Sequence, residues 1–252
     1  MPRQKFTRQL QDVNQLLDVA DAVALRRPAA TQLPTSLTFQ PFISGAIVLL
    51  CARFEEFLRD VITYSLDQHG QASPPLTLTD LPQTLQVHIV QQNMTAALQR
   101  VRYGSERPDH VRLSESLTMA KHYVAGRIWS DYAIDTGGNP GVETVTSLMK
   151  LIGVEAPWQK IGQEFSTTYI APAIPGTARR AAVKPQDELK QILQSRNTVA
   201  HSGSHLTIST ADVRFYVDFT AQLSGWIYSV VQQHVEDLAK SKGRIPATWN
   251  PL

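Results

Sequence analysis

The sequence predicts an all-α fold, a helical bundle, on three observations. Apolar residues recur at three- and four-residue steps through most of the 252 residues. Prolines and glycines stand where those runs begin and end. Strand signals are few, and Leu206-Thr207-Ile208 is the best short candidate. Helices joined by loops, without a strand ladder or an internal repeat, read as one domain over 1–252 with its core over about 36–240.

Phe6, Leu10, Val13, Leu16, Leu17, Ala20, Val23 and Ala24 give a first helix, which breaks at Pro28 and Pro34. Pro41 stands where a first-turn proline belongs and opens a long helix that His69-Gly70 closes. Residues 71–82 hold Pro74, Pro75 and Pro82 and read as a loop. Leu85, Ile89, Met94 and Leu98 predict a helix over about 82–103, and Val111, Leu117, Val124, Ile128 and Trp129 another over about 110–133. Gly137-Gly138-Asn139-Pro140-Gly141 is a turn, and a short helix follows from Val142 to Ile152, stopped by Gly153. Residues 166–184 read as an irregular loop with Pro172, Pro175, Gly176 and the basic cluster Arg179, Arg180 and Lys184. Pro185 opens a helix that ends at Ser202-Gly203. A long last helix runs from Thr210 to about Lys240, and 243–252 reads as a loose tail.

With 24 Lys and Arg against 22 Asp and Glu, the formal charge is +2, so nucleic-acid contact has to come from a local patch rather than bulk charge. A hydrophobic share of 42% is enough to build a core. The single cysteine, Cys51, excludes an intrachain disulfide and a multi-cysteine metal site, and fits a reducing compartment. Phe42 to Ala52 is the most apolar stretch, but a membrane span needs about 20 residues, and the N-terminus is polar and amphipathic. A cytoplasmic protein is expected. No phosphate-binding loop or nucleophile elbow is present. His201 and His205 lie four apart with no acidic third ligand nearby, so neither a metal nor another cofactor is expected.

The helix from Pro185 carries the chemistry. At about 100° per residue from Leu189, the apolar stripe comprises Leu189, Ile192, Leu193, Val199 and Ala200, and Arg196 falls at about 340°, inside it. Asn197 and His201 fall at about 80° and about 120°, on its flank. A guanidinium on an apolar stripe needs a partner. Glu55, with Arg59 four residues on in an otherwise apolar helix, is the expected one. A histidine near a helix C-terminus is biased towards imidazolium while titrating near neutrality. It can therefore exchange a proton with an RNA 2′-OH or a 5′-leaving oxygen. Arg196 can hold phosphate with two parallel hydrogen bonds, and Asn197 can orient the imidazole or bind a phosphate oxygen. The same residues also fit a helix-capping histidine and a stabilising Arg196–Glu55 bridge, and spacing does not separate these readings.

Arg196-Asn-Thr-Val-Ala-His201 resembles the Arg-x4–6-His signature of the HEPN superfamily. GAIVLLCARFEEFLRDVI (Gly45–Ile62) looks like the second-helix signature of the RiboL-PSP-type branch, and DTGGNPGVETVTSLMKLIG (Asp135–Gly153) like its Asn-Pro segment. Gly203, two residues after the histidine, agrees with the family pattern. The resemblance implies a HEPN-like helical bundle with additional helices and a metal-independent endoribonuclease of toxin–antitoxin or phage-defence type. It implies a homodimer whose motifs share one composite cleft, RNA as substrate, and an antitoxin or defence-system partner. In that reading Arg196 neutralises the scissile phosphate, His201 transfers protons and Asn197 supports it. Glu55 orients Arg196 or Arg59, and Arg179, Arg180 and Lys184 guide the RNA backbone. The family also implies an alternative, a non-catalytic nucleotide- or partner-binding subunit of such a complex.

Overall fold

A computed structural model describes residues 1–25, 39–102, 104–131, 134, 136–171, 184–202 and 208–249, with only the backbone of Arg102, His201 and Ser202. Of these residues 76% are helical, and the one strand pair is two residues long on each side, so the all-α class holds. The helices are α1 (Pro2–Leu25), α2 (Gln40–Gln71), α3 (Gln83–Leu98), α4 (Asp109–Val124), α5 (Val142–Leu151), α6 (Pro157–Thr168), α7 (Pro185–Ser202) and α8 (Thr210–Ser241). Strands β1 (Val101–Arg102) and β2 (Ser105–Glu106) form an antiparallel hairpin.

The chain divides into two compact units. The first comprises Met1–Leu58, Gly137–Thr146 and Trp158–Tyr228. Here the expected stripe of α1 is buried at Phe6, Leu10, Val13, Leu17 and Ala20. Phe6 meets Phe57 of α2 with ring centroids 5.2 Å apart. Charged pairs flank that seam. Lys5 pairs with Glu56 at 2.7 Å, and Arg214 of α8 reaches Asp18 at 2.7 Å and Asp21 at 3.0 Å. The Trp226 indole of α8 donates to Thr168 Oγ1 of α6 at 2.8 Å, a polar end to an otherwise apolar contact.

The second unit comprises Arg59–Thr136, Ser147–Pro157 and Ser229–Leu252. Asn93, fully buried, donates to the Ile89 carbonyl at 2.9 Å and the Trp129 carbonyl at 3.2 Å. The His234 ring Nε2 lies 2.7 Å from the Ile152 carbonyl. Gly153 has φ +95°, which favours glycine, and a Cβ there would crowd Pro82 at 3.1 Å.

Several boundaries differ from expectation. The helix expected to reach about residue 103 ends at Leu98, where Arg107 donates to the carbonyls of Ala96 and Ala97 at 3.1 and 3.0 Å and caps them. The helix expected over about 110–133 ends at Val124. Gly126, at φ +72°, donates to Tyr123 O at 2.9 Å, and Arg127 donates to His122 O at 2.9 Å, the paired bonds of a glycine stop. Its expected core residues also face outward: Val111 is 41%, Leu117 53% and Val124 91% exposed, while Ser116 and Met119 are buried. Helix α6 had no counterpart in the sequence reading. The tail expected to be loose is tied down as far as Trp249. Ile245 bridges to Ser73, and Trp249, buried, meets Tyr64 edge-on at 5.1 Å. Leu206 and Thr207 of the strand candidate, and 172–183 of the expected irregular loop, lie outside the described residues.

Candidate functional site

Helix α7 starts where its sequence dictates. Pro185 is pre-set for a first turn, and Asp187 and Glu188 complement the positive end of the helix dipole. The Lys184 carbonyl accepts the Asp187 and Glu188 amides at 3.1 and 3.3 Å. Leu189, Ile192 and Leu193 are buried as expected. Beyond them the packing opens. Arg196 and Val199 are half-buried and Ala200 is exposed, although the wheel put all three in the buried stripe. The last buried side chain described on α7 is Leu193, and periodicity carries no signal of where a neighbouring element stops. The described side chains of the motif, Arg196 and Asn197, lie beyond that last buried position.

Arg196 is braced from two sides. Its Nη1 donates to Asn197 Oδ1 at 3.0 Å, and its Nη2 donates to the Gly138 carbonyl at 3.4 Å. Both acceptors are neutral, so neither bond offsets the guanidinium charge. Asn197 is exposed, and its oxygen serves Arg196. His201 lies one turn further on, in the last turn of α7; its side chain is outside the described residues.

The Gly138 carbonyl belongs to the turn that precedes α5. Gly137 and Gly138 both have positive φ, +64° and +73°. A Cβ on Gly141 would meet Leu193 Cδ1 at 3.4 Å, so the turn lies against α7 one turn before Arg196. Within the turn Thr144 Oγ1 donates to the Asn139 carbonyl, and α5 is fixed to α6 by Trp158 Nε1 donating to Thr146 Oγ1 at 2.9 Å.

On α2, Cys51 lies near enough to feel the Arg196 charge. It is buried; burial pushes its thiol up to about 12, against a smaller lowering by the Arg196 charge. Such a thiol is neutral at physiological pH and is no nucleophile. Glu55, half-buried, stands one turn after Cys51 on the same side of α2. Arg59 falls in the second unit, where its Nη2 donates to Thr136 Oγ1 at 3.4 Å. Lys184 is exposed at the other end of α7, about 18 Å along the helix axis from Arg196. Arg179 and Arg180 lie outside the described residues. Two neighbours of the motif escaped the sequence reading, the Gly138 carbonyl and Cys51. The doubled glycine was the available signal for the first, and nothing in the spacing pointed to the second.

Among the described residues no three His, Cys, Asp or Glu side chains gather as metal ligands, and no helix is long and apolar enough to cross a membrane. The RiboL-PSP-HEPN family model matches residues 10–238. No curated protein and no solved structure matches the chain.

Proposed function

Because the chain belongs to the RiboL-PSP-HEPN family, we propose that it is a metal-independent endoribonuclease, acting in the cytoplasm as a toxin or anti-phage defence effector. The observation that carries this reading is Arg196. It is a charged, half-buried guanidinium on α7 held by two neutral acceptors, five residues before His201.

RNA brings its own nucleophile. The 2′-oxygen attacks phosphorus, loses its proton to a base, and the 5′-oxygen leaves with a proton from an acid. Arg196 neutralises the charge that builds on the non-bridging oxygens. Asn197 holds the guanidinium in place. Glu55, one turn from Cys51 on α2, orients Arg196 or Arg59. His201, in the last turn of α7, exchanges the proton. One imidazole cannot be base and acid in the same step. A homodimer with two-fold symmetry places a second Arg196 and His201 in the cleft and supplies both. Lys184, with Arg179 and Arg180, guides the RNA backbone into the cleft. An antitoxin or defence-system partner restrains the activity.

The test is cleavage of total RNA by the purified chain in EDTA. The expected ends are a 2′,3′-cyclic phosphate, or its hydrolysed phosphate, and a 5′-OH. Deoxy substitution at the cleaved nucleotide should block cutting. An absolute need for Mg²⁺, or equal cutting of DNA, would falsify this mechanism. A folded dimer inert towards every RNA class points instead to a nucleotide- or partner-binding subunit.

A further inference from the structure

We propose that the Gly137-Gly138 turn is a positioning element for the proposed reaction, whose Gly138 carbonyl aims the Arg196 guanidinium. This inference rests on the ribonuclease reading for its kinetic consequence, but not for its geometry.

Three observations carry it. First, the turn is seated on α7 at two points of one face: Gly141 approaches Leu193 and the Gly138 carbonyl accepts from Arg196 Nη2 at 3.4 Å. Residues 193 and 196 are neighbours on a helix surface, so turn and guanidinium are fixed to the same ridge. Second, the two glycines are required by conformation and not by space. A Cβ on either would meet nothing within 4 Å, yet both have positive φ, +64° and +73°. L-residues other than glycine rarely take that conformation, and Asn is the main exception. The direction of the Gly138 carbonyl follows from these angles. Third, the carbonyl and Asn197 Oδ1 take different terminal nitrogens of the guanidinium. Together they remove the rotation that either bond alone would leave and keep the remaining N–H groups for phosphate. A neutral carbonyl does this without cancelling the charge, which a carboxylate in its place would do.

The consequence is separable from general stability. Ala at 138 strains the turn and swings the carbonyl away, whereas Asn accepts the same backbone and has open space for its side chain. The full-length chain is compared as wild type, Gly138→Ala and Gly138→Asn, with Arg196→Lys to assign the Arg196 guanidinium ¹⁵N–¹H resonances. In the wild type, Arg196 Hη protons should exchange more slowly than those of the exposed Arg8. Gly138→Ala should remove that protection and lower kcat on RNA about ten- to a hundredfold with KM changed by less than about threefold. Gly138→Asn should restore both.

The inference is overturned if wild-type Arg196 exchanges as fast as Arg8, a result that needs no variant to fold. It is also overturned if Gly138→Ala leaves the protection intact, or if Gly138→Asn loses it as fully as Ala does. If the protection follows the expected pattern while the wild type cleaves no RNA, the positioning stands and the ribonuclease reading fails.

Discussion

Arg196 and His201 lie five positions apart, and removing either tests a different property. The wheel put Arg196 in the middle of a buried stripe, where losing it would strand a buried carboxylate. The structure has it half-buried between an exposed asparagine and a backbone carbonyl, so Arg196→Ala leaves no buried charge behind. Its cost should be about 1 kcal/mol in a thermal melt, with cleavage or toxicity abolished. His201→Ala, on the flank of the wheel, should stay within about 1 kcal/mol of the wild type and also abolish activity. A folded His201→Ala protein that still cleaves removes histidine from the mechanism, and one that unfolds makes it structural. A different histidine governs acid stability. His69 is buried at the end of α2 with no hydrogen-bond partner for Nδ1, and burial, with a smaller effect of His234, lowers its pKa from 6.5 to about 4. Between those values the unfolded chain takes up a proton that the folded one refuses. Stability therefore falls as pH drops from about 6.5 to about 4, by roughly 3 kcal/mol at most from this group. Urea midpoints at pH 7 and pH 4 should converge in His69→Leu relative to the wild type; an unchanged gap assigns the loss to other groups.

Among the elements, α4 departs furthest from its reading. Leu113, Leu117 and Val124, at 60%, 53% and 91% exposure, line its outer side, while Ser116 and Met119 face inward. A Leu113→Gln/Leu117→Gln pair should therefore change the melting free energy by about 0.5 kcal/mol or less per site, where the same change at Ile89 or Leu85 should cost several. Urea unfolding of the two pairs decides it. The contrast shows what a sequence can carry. α1, α2, α7 and α8 were legible from wide apolar stripes, reinforced in α2 and α7 by proline starts at Pro41 and Pro185. α4 was misread because its apolar period is real but faces out, and because Ile128 and Trp129 prolonged the pattern past the stop at Gly126. α6 went unseen, though Pro157 stands at its first position and Trp158, Ile161 and Phe165 keep a helical spacing. At the site, the motif residues were legible as a pattern. The brace on Arg196 was not, because its acceptor is a backbone carbonyl 58 residues away, and a main-chain acceptor leaves no side-chain signature.

For the whole molecule, the single cysteine has a practical consequence. A thiol that is buried and un-ionised below about pH 12 resists alkylation while the chain is folded. The wild type is thus a ready-made blank for site-directed labelling. Ala200, exposed between Arg196 and His201, is the place to install a reactive thiol. If two α7 ends meet across a two-fold axis, Ala200→Cys should oxidise to a covalent dimer under native conditions, since a disulfide needs the two Cα atoms within about 7 Å. A bismaleimide of graded length extends that reach and turns the cross-link into a ruler. Gln194→Cys, exposed on α7 away from the motif, should react with a maleimide dye yet fail to link at the shortest length. If Ala200→Cys stays monomeric at every length and sediments as a single chain at micromolar concentration, the two motifs do not share a cleft.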